Sequence, residues 1–558
     1  VELRAPGTGG GVSTPPSVSM IAPAANATIA SLTTIAANAT DQLAVAGVQF
    51  LVDGNALGAE VTNAPWSIVW DTTGATSGPH TLSAIARNSS GLSTTSSTIP
   101  VTVDNSGNPA VIGSWSAPVT IPTVAVNLML TGTNKLFFYE DGASPTLWDY
   151  IGNTFTNVPS NANLFCSGHA MLSDGRILAV GGFGGSGTNI GIANAEIFDP
   201  NTRTWTAVPS MASKRWYPTA TTLGDGRVLV TAGWQTSPHT NAGIPEIYDP
   251  GTNRWTQLTN ANNPFETYPF IFQLADGRVL HVGGTEFATV TDVLDLGTQT
   301  WSTVDPRVID GGSATMYLPG KIMKAGSATD SQGTGLSSST TYVLDMNQQS
   351  PAWQQTPSMA FPRSFLNLTT LPDGSVLVTG GESDRNGGII SNAIYAAEMW
   401  SPQSQTWSTM ASMRTPREYH STALLLPDGR VVQSGMGADF GQVPDQMSAE
   451  FYSPPYLFKG ARPAISAAPA IIHYGQGFVV GTPDAANISK AVLIRTGAVT
   501  HFFDQNTRYV PLTFGQTTGG LSVTAPLNGN QAPPGYYMLF LVNGSGVPSV
   551  ASMVQVLP

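Results

Sequence analysis

Apolar and polar residues follow one recurring hairpin pattern along this chain. A short apolar run leads to Asp-Gly, a second apolar run follows, and the hairpin ends at one or two glycines. Asp-Gly between two β-prone apolar runs is among the strongest short signals for a tight β-hairpin. The pattern therefore predicts antiparallel hairpins at residues 174–182, 225–233, 276–284, 373–381 and 428–435.

The spacing of these hairpins indicates a repeat architecture. The turn aspartates lie 51 residues apart at Asp174, Asp225 and Asp276, and 55 apart at Asp373 and Asp428. A period near fifty with Gly-Gly and a following tryptophan is typical of kelch β-propeller repeats. The tryptophans are Trp205, Trp255, Trp301, Trp353 and Trp407. Weaker copies at 132–139 and 319–326 bring the predicted number of blades to seven.

Equivalent positions in the blades carry reactive side chains. Counting eight residues back from each turn aspartate gives Cys166, Tyr217, Tyr268, Phe365 and His420. The innermost strand of each propeller blade lines the central axis, so we expect these residues to converge at one mouth of the channel. Tyr419 directly precedes His420, and neighbours on a regular strand point to opposite faces. Both can face the axis only if the backbone there is irregular.

The chain divides into three predicted domains after a flexible N-terminal segment. Residues 1–15 are rich in Gly, Ser, Thr and Pro, and short alternating strands over 16–104 are typical of an Ig-like sandwich. The propeller occupies 110–458, and 459–558 form a second Ig-like sandwich, of the early-set type. The predicted fold class is therefore all-β.

Composition narrows the possible functions. Only 10% of the residues are charged and the net charge is −12, which argues against nucleic acid as a partner. No apolar run is long enough for a membrane span, and the single cysteine excludes internal disulfides. Low charge and a start at Val1 without a leader favour a secreted protein whose signal peptide has been removed.

Four segments of the propeller and C-terminal domain combine reactive side chains with distinctive neighbours: Phe-Cys-Ser-Gly at 165–168, Arg-Trp-Tyr at 215–217, Arg-Glu-Tyr-His at 417–420 and Gly-Ala-Val-Thr-His at 497–501. Together they resemble the galactose oxidase and glyoxal oxidase family of copper radical oxidases. The resemblance implies that one copper ion is bound by Tyr217, Tyr419, His420 and His501. It also implies a thioether between Cys166 and the Tyr217 ring, which serves as a radical cofactor.

The same resemblance assigns further roles. Tyr419 would act as the base, the Tyr217 radical would abstract hydrogen, and Trp234 would cover the Tyr217 ring, with Trp216 as a rival for that place. Two imidazoles and two phenolates suit Cu(II). We expect the substrate to be contacted by Phe165, Trp216, Tyr268 and Phe365, although the last two could instead simply cap the channel.

The expected reaction is oxidation of a primary alcohol or aldehyde by O2 to the carbonyl or acid with release of H2O2. Residues 319–335 lack the arginine with which galactose oxidase holds its sugar, so small alcohols, aldehydes or other carbohydrates are better candidates than galactose. The Ig-like module would contact a polysaccharide or another surface. The alternative is a non-catalytic kelch propeller that binds glycans or a protein, for which the five copper-site residues would be unnecessary.

Overall fold

The computed structural model describes residues 14–29, 32–72, 75–105, 107–185, 188, 190–237, 240–265, 267–328, 336–385, 392–438 and 444–558. Most of the N-terminal segment 1–15 and part of the 319–335 region lie outside these residues. The described chain is almost entirely β, which confirms the predicted fold class. It forms two compact units, Val1–Ile112 and Gly113–Pro558. None of the described helices is long and apolar enough to cross a membrane.

The N-terminal unit is a sandwich of two sheets. Its elements are β1 (Ser17–Ala22), β2 (Ala27–Ile29), β3 (Leu32–Thr40), β4 (Val45–Val52), β5 (Asn55–Ala56), β6 (Ser67–Asp71), β7 (Gly78–Asn88), β8 (Ser93–Thr95), β9 (Ile99–Val103) and the short helix α1 (Pro109–Ile112). One sheet has the order β1-β3-β6, and the other has the order β2-β9-β7-β4-β5 with β8 added to β7. Alternate residues point inward, and Val48, Phe50, Leu82 and Trp70 lie in the core between the sheets.

The propeller begins with two short strands, β10 (Ser114–Trp115) and β11 (Val119–Thr120). Blades 1 to 3 then follow. Blade 1 consists of β12 (Asn127–Leu130), β13 (Leu136–Tyr139), β14 (Thr146–Asp149) and β15 (Thr154–Asn157). Blade 2 consists of β16 (Gly168–Met171), β17 (Ile177–Val180), β18 (Ala195–Asp199) and β19 (Thr204–Val208). Blade 3 consists of β20 (Thr219–Thr222), β21 (Val228–Thr231), β24 (Glu246–Asp249) and β25 (Arg254–Gln257). A small hairpin of β22 (Trp234–Thr236) and β23 (Thr240–Asn241) projects from blade 3.

Blades 4 to 7 repeat the arrangement, and a short 3-10 helix, Thr259–Ala261, precedes blade 4. Blade 4 consists of β26 (Pro269–Gln273), β27 (Val279–Gly284), β28 (Thr291–Asp295) and β29 (Thr300–Asp305), and blade 5 of β30 (Ser313–Leu318), β31 (Lys321–Ala325), β32 (Thr341–Asp345) and β33 (Gln354–Thr356). Blade 6 consists of β34 (Asn367–Thr370), β35 (Val376–Thr379), β36 (Ala396–Ser401) and β37 (Thr406–Ser412). Blade 7 contains β38 (Thr422–Leu425), β39 (Val431–Ser434) and β40 (Ser448–Ser453). The 3-10 helix Pro455–Phe458 follows the last strand.

Pairing of the first and last propeller strands closes the ring. The early strands β10 and β11 pair with β40, so blade 7 is completed from both ends of the propeller. The first strands of successive blades contact one another from β16 through β38, and β38 contacts β12. The sheets of the described residues are thus compatible with the seven blades predicted from the repeat.

The C-terminal domain is a sandwich that also inserts strands into the propeller. Its two sheets have the orders β41-β50-β49-β43-β46 and β42-β48-β47. The hairpin β44-β45 instead joins blade 1, because β44 pairs with β12. The elements are β41 (Ile471–His473), β42 (Gly477–Gly481), the 3-10 helix Ala485–Asn487, β43 (Ile488–Arg495), β44 (Ala498–Thr500), β45 (Phe503–Asp504), β46 (Tyr509–Leu512), β47 (Phe514–Thr517), β48 (Gly520–Thr524), β49 (Gly535–Asn543) and β50 (Ser552–Leu557).

A continuous hydrophobic core joins the two parts of the larger unit. Leu424 and Phe138 from the propeller belong to the same buried cluster as Ile494, Met538 and Phe540 from the C-terminal sandwich. Burial of apolar side chains across this boundary opposes separation of the two parts. The residues that lead out of β44 are therefore held in a fixed place relative to the blades.

Candidate copper site

The five equivalent blade positions share an unusual backbone conformation. Each lies just before the first strand of its blade, and each has a positive φ: 53° at Cys166, 66° at Tyr217, 39° at Tyr268, 57° at Phe365 and 66° at His420. Non-glycine residues adopt this left-handed region rarely, because the Cβ then crowds the backbone. The turn redirects the chain at this point, and it allows Tyr419 and His420 to reach the same site although they are neighbours. The irregular strand start that we expected there is confirmed by the backbone.

Buried ion pairs fix the loops that carry three of these turns. In each case an arginine two residues before a site tyrosine or phenylalanine pairs with a glutamate on the third strand of the blade. The N–O distances are 2.9 Å for Arg215–Glu246, 2.9 Å for Arg363–Glu398 and 3.6 Å for Arg417–Glu450. All six side chains are almost fully buried. Removing one partner of such a pair leaves a buried charge uncompensated, so these loops are rigidly anchored.

His501 reaches the site on a segment that follows β44 into the centre of the propeller. The Thr500 hydroxyl donates to the Val126 carbonyl at 3.0 Å, and the Ser313 hydroxyl donates to the Phe502 carbonyl at 2.6 Å. The Gln505 side-chain oxygen accepts from the backbone N–H of Ala220 at 3.0 Å. These contacts tie the segment to blades 1, 3 and 5, so the second imidazole is placed by the propeller as well as by its own domain.

The thiol, two phenols and two imidazoles meet in one buried cluster. The Cys166 Sγ lies 3.7 Å from His420 Nε2 and 3.6 Å from His501 Nε2. The hydroxyl oxygens of Tyr217 and Tyr419 are 2.8 Å apart. The sulfur of Cys166 and a ring nitrogen of each of His420 and His501 all lie within 4.8 Å of one another. Among the described His, Cys, Asp and Glu side chains, these three form the group that is close enough together to hold a metal ion.

Hydrogen bonds set the same tautomer in both histidines. His420 Nδ1 donates to the Gly437 carbonyl. His501 Nδ1 lies 2.8 Å from the Thr500 hydroxyl, whose own proton goes to the Val126 carbonyl, so Nδ1–H is the donor in this bond. Both Nε2 lone pairs are thereby directed into the cluster, as metal binding requires.

Burial keeps both imidazoles neutral. It lowers the pKa of His420 to about 4 and lowers that of His501 well below its usual value, where the neighbouring His420 adds to the effect. Burial also raises the pKa values of the Cys166 thiol and the Tyr217 phenol well above their usual values. A bound cation would offset this cost and favour phenolate. Two neutral imidazoles and two ionisable phenols are a donor set that fits Cu(II).

Tyr419 is the most exposed residue of this set. It is half-buried, whereas Cys166, Tyr217, His420 and His501 are buried.

Two indoles surround the Tyr217 ring. The ring of Trp216 is 4.7 Å from it at an interplanar angle of 66°, and that of Trp234 is 5.5 Å away at 51°. The two tryptophans exchange backbone hydrogen bonds of 2.9 Å and 2.7 Å, which locks them together. Trp234, the residue expected to cover Tyr217, is thus tilted over the ring, and Trp216 lies closer.

Phe165 and Phe365 line two other sides of the cluster. The Phe165 ring is 5.6 Å from the His420 ring, and the Phe365 ring is 5.6 Å from the Tyr419 ring. Tyr268 is fully buried beside the cluster. Its ring stacks on His501 at a centroid distance of 4.4 Å.

Two of the three groups that orient the histidines and anchor the His501 segment leave no recognisable pattern in the sequence. Gly437 lies in the loop after β39, and its carbonyl is invisible to any side-chain pattern. Thr500 does carry a signal, because a hydroxyl residue directly precedes His501. Gln505 shows none that distinguishes it from an exposed loop glutamine, although it links the segment to the blades.

Comparison with known proteins gives matches in the N-terminal module, in the propeller and in the C-terminal domain. Residues 462–556 match the galactose oxidase-like early set domain, and 311–456 match the glyoxal oxidase N-terminus. Residues 166–212 match the kelch motif, and 16–84 match a bacterial Ig domain.

Similar full-length proteins agree with these domain matches. The chain is 28% identical to a galactose oxidase of Gibberella zeae, over 80% of this chain and 71% of that protein. It is 26% identical to an aldehyde oxidase of Arabidopsis thaliana, over 70% of this chain and 71% of that protein. A solved fungal alcohol oxidase in complex with copper has the same fold, with a TM-score of 0.70 and 24% identity over 80% of this chain and 100% of that one.

The fold and the matches support an enzyme of the copper radical oxidase type. The chain is similar to galactose oxidases and glyoxal or aldehyde oxidases over most of its length.

Proposed function

We propose that this protein oxidises a primary alcohol or an aldehyde hydrate with O2, giving the aldehyde or acid and H2O2. The observation that carries the proposal is the convergence of Cys166, Tyr217, Tyr419, His420 and His501 in one buried cluster. A propeller that only binds a glycan or a protein has no use for a thiol, two phenols and two neutral imidazoles in mutual contact. The reaction is balanced, because the substrate loses two hydrogens and O2 gains them.

The four proposed copper ligands are Tyr217, Tyr419, His420 and His501. When bound, copper supplies one redox equivalent of the two-electron oxidation, and the oxidised Tyr217 ring supplies the other. Tyr419 accepts the hydroxyl proton of the substrate, since it is half-buried whereas Tyr217 is buried. Tyr217 takes the hydrogen from carbon, and the indoles of Trp216 and Trp234 limit access of water to its ring.

We further propose that Cys166 and the Tyr217 ring are joined by a thioether. Cys166 is fully buried in the same cluster as Tyr217, and the Tyr217 N–H donates to the Cys166 carbonyl at 3.0 Å. A hydrogen bond with the Tyr217 side chain offsets part of the rise that burial causes in the thiol pKa. Joining them removes the thiol hydrogen and one ring hydrogen, and O2 takes up both to form H2O2.

Secretion and a surface-binding role for the Ig-like module belong to the same proposal. Low charge favours an extracellular protein, and the module has its own hydrophobic core within a separate compact unit. Sedimentation of the whole protein with insoluble polysaccharides tests the binding role, because a binding module moves the protein into the pellet.

The experiment that tests the proposed function is a peroxide assay on the copper-loaded protein in air. The panel contains simple primary alcohols, aromatic alcohols, small aldehydes and galactose, with Tyr217→Phe as the control variant. We expect peroxide with at least one alcohol or aldehyde and none from the variant. Copper-loaded protein that releases no peroxide with any member, or a Tyr217→Phe variant that is equally active, contradicts the oxidase and favours the binding alternative.

A further inference from the structure

Tyr268 occupies a special place among the rings around His501. Its ring lies 4.4 Å from the His501 ring at an interplanar angle of 29°, so the two are stacked. The rings of Tyr217, Tyr419 and His420 meet His501 at angles of 69°, 82° and 84°, which are edge contacts. Among the described aromatic side chains, Tyr268 is therefore the one that covers a face of this imidazole.

Three further contacts hold the Tyr268 ring in place. Its hydroxyl donates to the carbonyl of Ser167, the residue directly after Cys166, at 3.1 Å. Its backbone N–H donates to the Tyr217 carbonyl at 2.9 Å, and its ring meets the Tyr217 ring edge to face at 5.2 Å. The side chain is fully buried. Tyr268 is thus attached to the segments of Cys166 and Tyr217 while it stacks on His501.

His501 needs such support because of where it lies. It follows β44 with a φ of 44°, and the next residue, Phe502, also has a positive φ of 69°. The hydrogen bond from Nδ1 to the Thr500 hydroxyl holds one edge of the His501 ring. The ring can still tilt about this edge unless neighbouring side chains pack against its face. A flat ring against the face of the imidazole restricts this tilt, and offset stacking of two aromatic rings is a favourable contact in its own right.

We propose that Tyr268 is a positioning residue that sets the plane of the His501 ring, so that Nε2 faces the other copper ligands. It acts through His501 and touches no substrate. The inference rests on the proposed copper site, since His501 is one of its ligands. The repeat places Tyr268 and Phe365 at the same position of their blades and does not separate their roles. The proposal gives Tyr268 a role of its own.

Copper affinity is the first test, measured by competition with a chelator together with the EPR spectrum of Cu(II). Tyr268→Leu removes the stacked ring, and we expect about a tenfold loss of copper affinity and altered nitrogen hyperfine coupling. Tyr268→Phe keeps the ring and loses only the bond to Ser167, so it should restore both. Tyr248→Leu is the matched control, because Tyr248 is just as buried but its ring packs on Trp255, outside the copper site.

The second test is made on metal-free protein and separates this inference from the proposed function. Nitrogen-15 NMR of labelled histidines reports which ring nitrogen of His501 is protonated, with His501→Asn used to assign its signals. We expect one Nδ1–H form in the parent protein and in Tyr268→Phe, and a mixture of forms in Tyr268→Leu. Parent protein that binds no copper would overturn the proposed site, whereas Tyr268→Leu with an unchanged His501 signal and unchanged copper affinity would overturn the role of Tyr268.

Discussion

The hydroxyl oxygens of Tyr217 and Tyr419 lie 2.8 Å apart, although the two residues are separated by 202 positions in the chain. They come from blades 3 and 7, and each stands two residues after an arginine in a buried ion pair. Two loops that are built in the same way thus bring two phenols into hydrogen-bond contact. The proposed roles of radical and base depend on this contact.

The proposed thioether gives a direct chemical prediction. Copper-loaded protein kept in air should yield one proteolytic product that joins the Cys166 and Tyr217 peptides, lighter than their sum by two hydrogens. Peptide mass spectrometry measures this, and Cys166→Ser serves as the control in which the peptides separate. Complete alkylation of Cys166 in the copper-loaded parent protein would contradict the cross-link.

Copper binding should depend on His501. His501→Ala removes one of the two buried imidazoles whose Nε2 atoms face Cys166, so bound copper after dialysis should fall from about one ion per chain to nearly none. Elemental analysis and EPR measure the bound ion. His473→Ala is the matched control, because His473 is exposed and bonds to the Pro558 carbonyl. Equal copper content in the two variants would argue against His501 as a ligand.

The buried ion pair behind Tyr419 should contribute strongly to stability. Arg417→Gln leaves the Glu450 carboxylate buried without its cation, and we expect a loss of about 3–5 kcal/mol in the free energy of unfolding. Arg227→Gln breaks a solvent-exposed pair with Asp225 and should cost at most about 1 kcal/mol. Denaturant unfolding of both variants makes the comparison, and similar losses would mean that the buried pair is not an anchor.

Stability should fall in mild acid, because buried histidines resist protonation. Burial, helped by the nearby Lys324, lowers the pKa of His281 from 6.5 to about 3. The unfolded chain therefore binds a proton that the folded protein does not, and stability is lost as the pH falls from 6.5 towards 3. Each such group contributes a slope of about 1.4 kcal/mol per pH unit within this window.

The matching experiment compares the pH slopes of two variants of metal-free protein. His281→Leu should reduce the slope of unfolding free energy against pH below 6.5. Phe198→Leu removes a fully buried ring that stacks on Phe137 and leaves the surroundings of His281 intact, so it should lower stability and leave the slope in place. An unchanged slope in His281→Leu would assign the acid sensitivity to other groups.

The repeat made much of the fold and the site predictable from sequence. Hairpin spacing gave the blades, and counting back from each turn aspartate placed Cys166, Tyr217 and His420 at equivalent positions. Their left-handed backbone was foreseen only as an irregularity beside Tyr419. A period carries this information because each blade repeats the same local geometry.

Contacts between distant segments were beyond the reach of the pattern. Pairing of β44 with β12, which brings His501 to the axis, joins parts of the chain that share no repeat. Tyr268 and Phe365 occupy the same repeat position, yet one stacks on His501 and the other faces Tyr419. That difference depends on where the inserted segment places the His501 ring, and local sequence does not record it.

The shared left-handed turn also determines how this protein can be redesigned. Five blades bend the backbone in the same way. Across these blades the turn carries a thiol, a phenol, an apolar ring or an imidazole, so its conformation is compatible with all four kinds of side chain. Exchanging one unbranched or aromatic side chain for another leaves the frame as it is, whereas a β-branched residue at positive φ would strain it. A library of variants restricted to these five positions should therefore change the chemistry of the site while the propeller backbone stays the same.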